Sequence, residues 1–234
     1  MMRFPRNKRN AFIPVVILVF LILLIFPNAP EKNECCNIII VSVTNLAANH
    51  MPLYGYDRDT TPNIDRFAAK SLVFENAFAH SSWTLASGAS LFTSLYPSQH
   101  NLNDRYSGQF LANNITTLID ILNENGYNTA AFTGGFDYDF RYNLINRFSK
   151  AEALPSSEAQ VFGYGSLSQS TRLASDWMEK NSDKKFFVFV QGYDVHCPFT
   201  PDKKFDIYDP EYNGTLDASA CYITFEDAEP FYKG

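Results

Sequence analysis

Cysteine is scarce in this chain. Four occur in 234 residues, too few to frame a fold with disulfides, and the adjacent Cys35 and Cys36 lack the spacing of a zinc site. Basic residues are also short: 19 Lys and Arg against 25 Asp and Glu leave a net charge of -6. A general nucleic-acid binder shows a basic footprint, so that class is excluded. There is no internal repeat and no low-complexity tract. Charged residues make up only 19%, which excludes a disordered chain held open by its own charge. What is present is apolar and aromatic. Hydrophobic residues reach 46%, with 21 Phe and 13 Tyr, enough to fill the core of a large sheet.

Charge is missing altogether from Ala11 to Phe26, while Arg3, Arg6, Lys8 and Arg9 precede that run with no acid among them. An apolar stretch of this length borders on both a signal-peptide core and a spanning helix. The basic flank holds the N-terminus in the cytoplasm. Pro27 stands two positions before Ala29 and spoils a small-residue cleavage site. The expected organisation is a basic cytoplasmic tail over 1–10, a membrane anchor over 11–27 and a linker over 28–36. An extracytoplasmic α/β domain would then fill 37–234. A cleaved signal segment, and hence secretion, is the alternative.

Strand-like and helix-like segments alternate beyond the linker. "NIIIVSV" (37–43) is a continuous β-branched run and reads as a buried parallel strand. Thr61 and Pro62 suit the start of a helix. "LVFENAFA" (72–79) reads as a second strand, and Ser87 as the cap of a helix through Leu95. Thr116 or Thr117 caps a helix that Gly126 stops. "YNTAAFT" reads as a strand, 166–182 as an amphipathic helix and 185–193 as another buried strand. The class is α/β with a mainly parallel sheet and helices on both faces.

In open α/β sheets, sites form beyond the carboxyl ends of strands. Three loops qualify: the one after 37–43, "HSSWTLASGAS" after 72–79, and "GYDVHCPF" after 185–193. Thr84 lies ahead of a helix start, where N–H groups and the helix dipole favour an anion. A hydroxyl there can serve as nucleophile when a metal or base activates it, or simply as a cap. His196, two residues after Asp194, is a candidate ligand or acid, or a hydrogen-bonded loop residue. His50, His80 and His100, taken singly, read as packing or surface residues.

Five phrases are more specific: "YGYDRDTTPNIDRFA", "FENAFA", "SLFTSLYPSQH", "GYNTAAFTGG" and "YDVHCPFTPDKKF". With the block that opens "NIIIVSVTNLAANH" at Asn37, the match runs to about Gly214, and over that span the chain resembles the sulfatase family of the alkaline phosphatase superfamily. The resemblance implies a three-layer α/β sandwich. It implies hydrolysis of sulfuric or related phosphate esters, on small molecules or glycans, at a divalent metal that is usually calcium. It places the nucleophile at Thr84, where sulfatases carry a Cys or Ser that becomes formylglycine. Threonine cannot follow that route, because its Cβ bears a methyl group. Related phosphoethanolamine and phosphoglycerol transferases use Thr directly.

The same resemblance puts His196 and Asp194 beside the substrate. It puts Ser87, Gly88 and His50 at substrate-binding positions, Gly88 standing where the family has Arg and Ala86 where it has Pro. The metal positions fall on Thr44 and Asn45, both neutral where the family has aspartates. "TNLAANH" also has Ala47 at an Arg position and Asn49 at a second Asp position. The family's later Asp-His ligands are expected beyond this sequence, and no Asp-His pair occurs in it. Hard divalent cations depend on carboxylate oxygens, so the expected metal site is degenerate. Three readings follow: an impaired sulfatase-type hydrolase, a non-catalytic pseudo-sulfatase that binds a ligand or partner, and a Thr-dependent transferase at the membrane.

Overall fold

β-Branched and aromatic residues build four short strands, β1 (Ile38–Val43), β2 (Asn128–Thr133), β3 (Lys150–Ala153) and β4 (Phe186–Gly192). They form one sheet in the order β1-β4-β2-β3, every neighbouring pair parallel. The computed structural model describes residues 36–104, 107–154, 165–197, 199, 201, 203–208, 210 and 211. The anchor expected over 11–27 lies outside them. Among the described residues, no helix is long and apolar enough to cross a membrane.

The central strand β4 is buried along its whole length, as a parallel strand covered on both faces must be. Among the described residues, five α-helices accompany the sheet: α1 (Pro62–Ala68), α2 (Thr84–Thr93), α3 (Pro97–His100), α4 (Leu118–Glu124) and α5 (Leu167–Lys180). On one face, Leu85, Ala89 and Phe92 of α2 and Ile119 and Leu122 of α4 join Phe187 and Phe189 of β4. The Phe92 ring meets Phe189 edge-on with centroids 5.0 Å apart, the geometry aromatic quadrupoles prefer. On the other face, Ala174 of α5 and the partly buried Leu173 and Trp177 pack on Val188, Val190 and Phe132. Helix, sheet and helix therefore make three layers, in agreement with the α/β class expected from the alternation of elements.

Three sequence expectations need correction. β1 is an edge strand with one open face: Ile39 and Val41 are exposed, while Ile38 and Ile40 pack on the core. α5 covers β2 and β4, and among the described residues no helix packs on that side of β1 to the same extent. Residues 72–79 form no strand. Leu72, Phe74 and Phe78 are exposed, and no ladder pairs this segment with any described strand. Finally, the helix placed at Ser87 begins three residues earlier, at Thr84. The Ser87 N–H already donates to the Trp83 carbonyl at 2.9 Å, as it does one turn inside a helix. The short β3 went unforeseen; only four residues long, its sequence KAEA gives no strand signal.

Candidate active site

Thr44 and Asn45 turn away from the carboxyl end of β1. Asn45 takes the left-handed conformation at φ 67, which Asn tolerates better than most residues. Thr44 is buried and held twice. Its N–H donates to the Gly192 carbonyl at 3.1 Å, and its Oγ1 accepts from Gln191 Nε2 at 2.8 Å. Both partners end β4, so the carboxyl ends of β1 and β4 are locked side by side.

Thr84 is the first residue of α2, with Trp83 as N-cap. No side chain caps this helix, so its first N–H groups remain available to an outside acceptor. In front of it lies a cavity of about 360 Å³. Residues 42–45 line one side, and Ser81, Ser82, Trp83, Thr84 and Ser87 line the other. Tyr138, from the loop after β2, also lines it. Thr44, Asn45, Thr84 and Ser87 are thus brought together at the carboxyl end of the sheet.

The remaining candidates stand apart from this cavity. His196 also follows a strand end, that of β4, but it does not line the cavity. Its Nδ1 lies 2.7 Å from the Cys197 carbonyl oxygen, and its ring meets Tyr193 edge-on. The Asp194 carboxylate accepts from the Leu167 N–H at 2.6 Å and so holds the first turn of α5, where the dipole favours an anion. His50 is exposed, ends a short 3-10 turn and packs edge-on against Tyr56. Gly88 is buried one turn along α2 from Thr84, under the Tyr138 ring.

Tyr138 is the site residue that sequence reasoning passed over. The rule of strand carboxyl ends applies to β2 as well, and the "GGFDYDF" loop follows that strand. Burial pushes its phenol well above the ordinary tyrosine value, and the neighbouring Asp137 carboxylate adds to the shift. The hydroxyl is therefore a neutral donor at any physiological pH.

The fit of a divalent cation can be judged from donor chemistry. The Thr44 hydroxyl is already taken by Gln191, Asn45 is neutral, and among the described residues no charged side chain lines the cavity. Among the described residues, no group of three His, Cys, Asp or Glu stands close enough to hold a metal ion. Calcium and magnesium need several oxygen ligands, carboxylates among them, and this donor set does not fit one.

A mainly parallel α/β sheet with an uncapped helix start and a hydroxyl at its carboxyl end presents donors of the kind that can hold an anion. Comparison with known proteins narrows the class. The family model for Sulfatase matches residues 36–223, and the chain belongs to that family. Human iduronate 2-sulfatase is 28% identical over 221 residues, covering 80% of this chain and 40% of that protein. The structure of BT4656 with its substrate D-glucosamine-2-N,6-O-disulfate has a TM-score of 0.59 at 20% identity, covering 72% of this chain and 36% of that one. A Vibrio parahaemolyticus protein of the alkaline phosphatase superfamily has a TM-score of 0.58 at 21% identity, covering 78% and 46%. The chain spans about 40% of the length of the curated iduronate sulfatases it resembles. Sulfatases are generally metal-dependent.

Proposed function

We propose that this chain is a sulfatase-like protein that takes a sulfuric ester of a glycan, or a related phosphate ester, into the Thr84 cavity. It is held at the membrane by residues 11–27 with the α/β domain outside the cytoplasm. As this chain, it does not hydrolyse the ester by the family's metal-dependent route. The observation that carries the reading is the position of Thr84, first residue of an uncapped helix, in a cavity at the carboxyl end of the sheet. Helix N–H groups and the Ser87 and Thr84 hydroxyls supply donors to the ester oxygens. A bound divalent ion would supply charge neutralisation and an activated nucleophile. The neutral residues at 44 and 45 offer no strong hold for one.

The test uses the full chain in detergent. D-Glucosamine-2-N,6-O-disulfate should bind and Thr84→Ala should weaken it. Aryl sulfates with added calcium, magnesium or manganese should not turn over. Metal-dependent turnover abolished by Thr84→Ala would overturn the inactive half of the reading. Protease added to spheroplasts should digest the domain, and protection would overturn the topology.

The same observation also favours a second reading. A threonine hydroxyl at a helix start is the nucleophile position of a phosphotransferase. Phosphate transfer from a phosphodiester donor to Thr84, detected as a mass increase on that residue, would bring this reading forward.

A further inference from the structure

The donor that completes the Thr84 cavity comes from the other side of the sheet's carboxyl end. Tyr138 is only 4% exposed, lines the cavity together with Thr84 and Ser87, and its Oη makes no hydrogen bond among the described residues. The O–H opens on the cavity, where an oxyanion would supply the acceptor that the described residues do not. The ring is fixed in place from two sides. It packs against Phe189 with centroids 5.1 Å apart, and it rests on Gly88, where a Cβ would come within 2.5 Å of Oη. Thr84, Ser87 and Gly88 lie three and four residues apart and so share one face of α2. The phenol therefore faces the cavity about one helical turn from Thr84.

We propose that the Tyr138 hydroxyl, seated on Gly88, is a binding residue that donates to an ester oxyanion at the N-terminus of α2. We further propose that this all-neutral subsite selects singly charged tetrahedral esters over doubly charged ones. The inference rests on the reading of the cavity as an ester site. Selection follows from charge. Among the described residues, no lysine, arginine or carboxylate lines the cavity. Helix dipole and hydroxyl donors supply only partial positive charge, roughly half a unit at the helix start. The desolvation cost of an anion rises steeply with its charge, and Asp137 adjoining Tyr138 repels a second negative charge. A sulfate monoester or a phosphate diester meets the subsite with one charge. A phosphate monoester meets it with two.

The experiment titrates the full chain in detergent with methyl sulfate and with methyl phosphate by calorimetry. A pH of about 8 keeps methyl phosphate doubly charged, since its second pKa is about 6. Methyl sulfate should bind ~10-fold or more tightly than methyl phosphate, and Tyr138→Phe should weaken methyl sulfate ~10-fold, as expected for a hydrogen bond to a charged group. Equal binding by wild type and a folded Tyr138→Phe would overturn the role of Tyr138 and leave the ester site standing. Equal affinity for the two anions would overturn the charge selection. No binding of either anion to wild type would overturn the ester site and this inference with it. If Tyr138→Phe does not fold, wild type with ring-labelled tyrosine decides. Methyl sulfate must then shift a buried tyrosine Cζ resonance, and an unchanged spectrum overturns the proposal.

Discussion

Gln191 donates from Nε2 to Thr44 Oγ1 at 2.8 Å, joining the last turns of two neighbouring strands 147 residues apart in sequence. The rest of the glutamine amide is also committed. Oε1 accepts from the Gly134 N–H at 3.0 Å, and Nε2 also reaches the Gly192 carbonyl at 3.2 Å. One buried side chain thus ties together the carboxyl ends of β1, β2 and β4, of which the end of β1 lines the cavity. Thr44→Val keeps the volume and removes the acceptor. We expect a loss of about 1 kcal/mol in urea unfolding, the usual net worth of such a bond. Thr44→Asp supplies one carboxylate where several are needed. Calcium should leave the melting temperature of that variant unchanged, and a rise on adding calcium would contradict the donor-set argument.

Gly88 and Tyr138 form the second coupled pair. With the phenol oxygen 2.5 Å from the place of a Cβ, no side chain fits at position 88 while Tyr138 keeps its seat. Gly88→Arg should therefore destabilise the chain by about 1–3 kcal/mol through overpacking. Tyr138→Ala should destabilise it through a cavity. In the double variant the arginine takes the vacated space, so the combined loss should be smaller than the sum of the single losses. A double-mutant cycle on urea midpoints reads this directly, and strict additivity would contradict the contact.

Much of the fold is legible in local pattern. β4 is five apolar residues followed by Gln191 and Gly192, between a lysine pair and a Tyr-Asp turn, and it is buried throughout. Ser166 caps α5 by accepting from the Gln169 N–H at 3.2 Å, as its place before an amphipathic run implies. Thr117 does the same for α4. What local pattern cannot give is what lies beside an element. "NIIIVSV" and "LVFENAFA" are equally apolar. The first pairs with β4 along six residues and remains half-open, and the second finds no strand among the described residues. The site shows the same limit. Thr84 stood out because it precedes a helix, but Tyr138 is an aromatic among many, and only the tertiary contact with Gly88 distinguishes it.

Arg147 anchors a polar cluster on the far side of α4. Its Nη1 donates to Asp120 Oδ2 at 2.7 Å and to the Ile115 carbonyl at 2.9 Å, and its Nη2 donates to the Ala112 carbonyl at 2.9 Å. Burial works to raise the Asp120 carboxyl. Hydrogen bonds from the Thr117 N–H and hydroxyl and from Arg147, with the arginine's charge, outweigh it and hold the carboxyl below its usual range. The sign follows. A depressed folded value contributes stability above the unfolded pKa of about 4, and that stability is lost as pH falls through the folded value. Arg147→Lys keeps the charge but not the guanidinium that serves three carbonyls, that of Asn143 included, and a carboxylate. It should cost about 1–2 kcal/mol at neutral pH, and it should flatten the acid limb of the stability profile measured by urea midpoints below pH ~4.

The last pH effect has the opposite chemistry and reaches closer to neutrality. His100 is buried at the end of α3, 2% exposed, with its Nδ1 accepting from the Leu102 N–H at 3.0 Å and its Nε2 3.1 Å from Ser90 Oγ. An N–H donated to Nδ1 requires the neutral ring, with the proton on Nε2. Burial lowers the folded pKa, against the smaller opposing pull of a hydrogen bond with the Ala86 backbone. The unfolded chain therefore binds this proton more readily than the folded one. Stability is full above the unfolded value of about 6.5 and declines as pH falls from there toward the lowered folded value. Acid below that point protonates both states alike and adds no further loss from this residue. Because Ser90 and Ala86 belong to α2, the helix that starts at Thr84, the strain of charging His100 falls on the helix at whose start the ester site is proposed. Melting temperature should therefore drop between pH ~6.5 and ~5 in wild type. In His100→Gln, which cannot gain a proton, that part of the drop should vanish even though the variant starts from a lower melting temperature. A wild-type curve flat across this window would contradict the buried neutral ring.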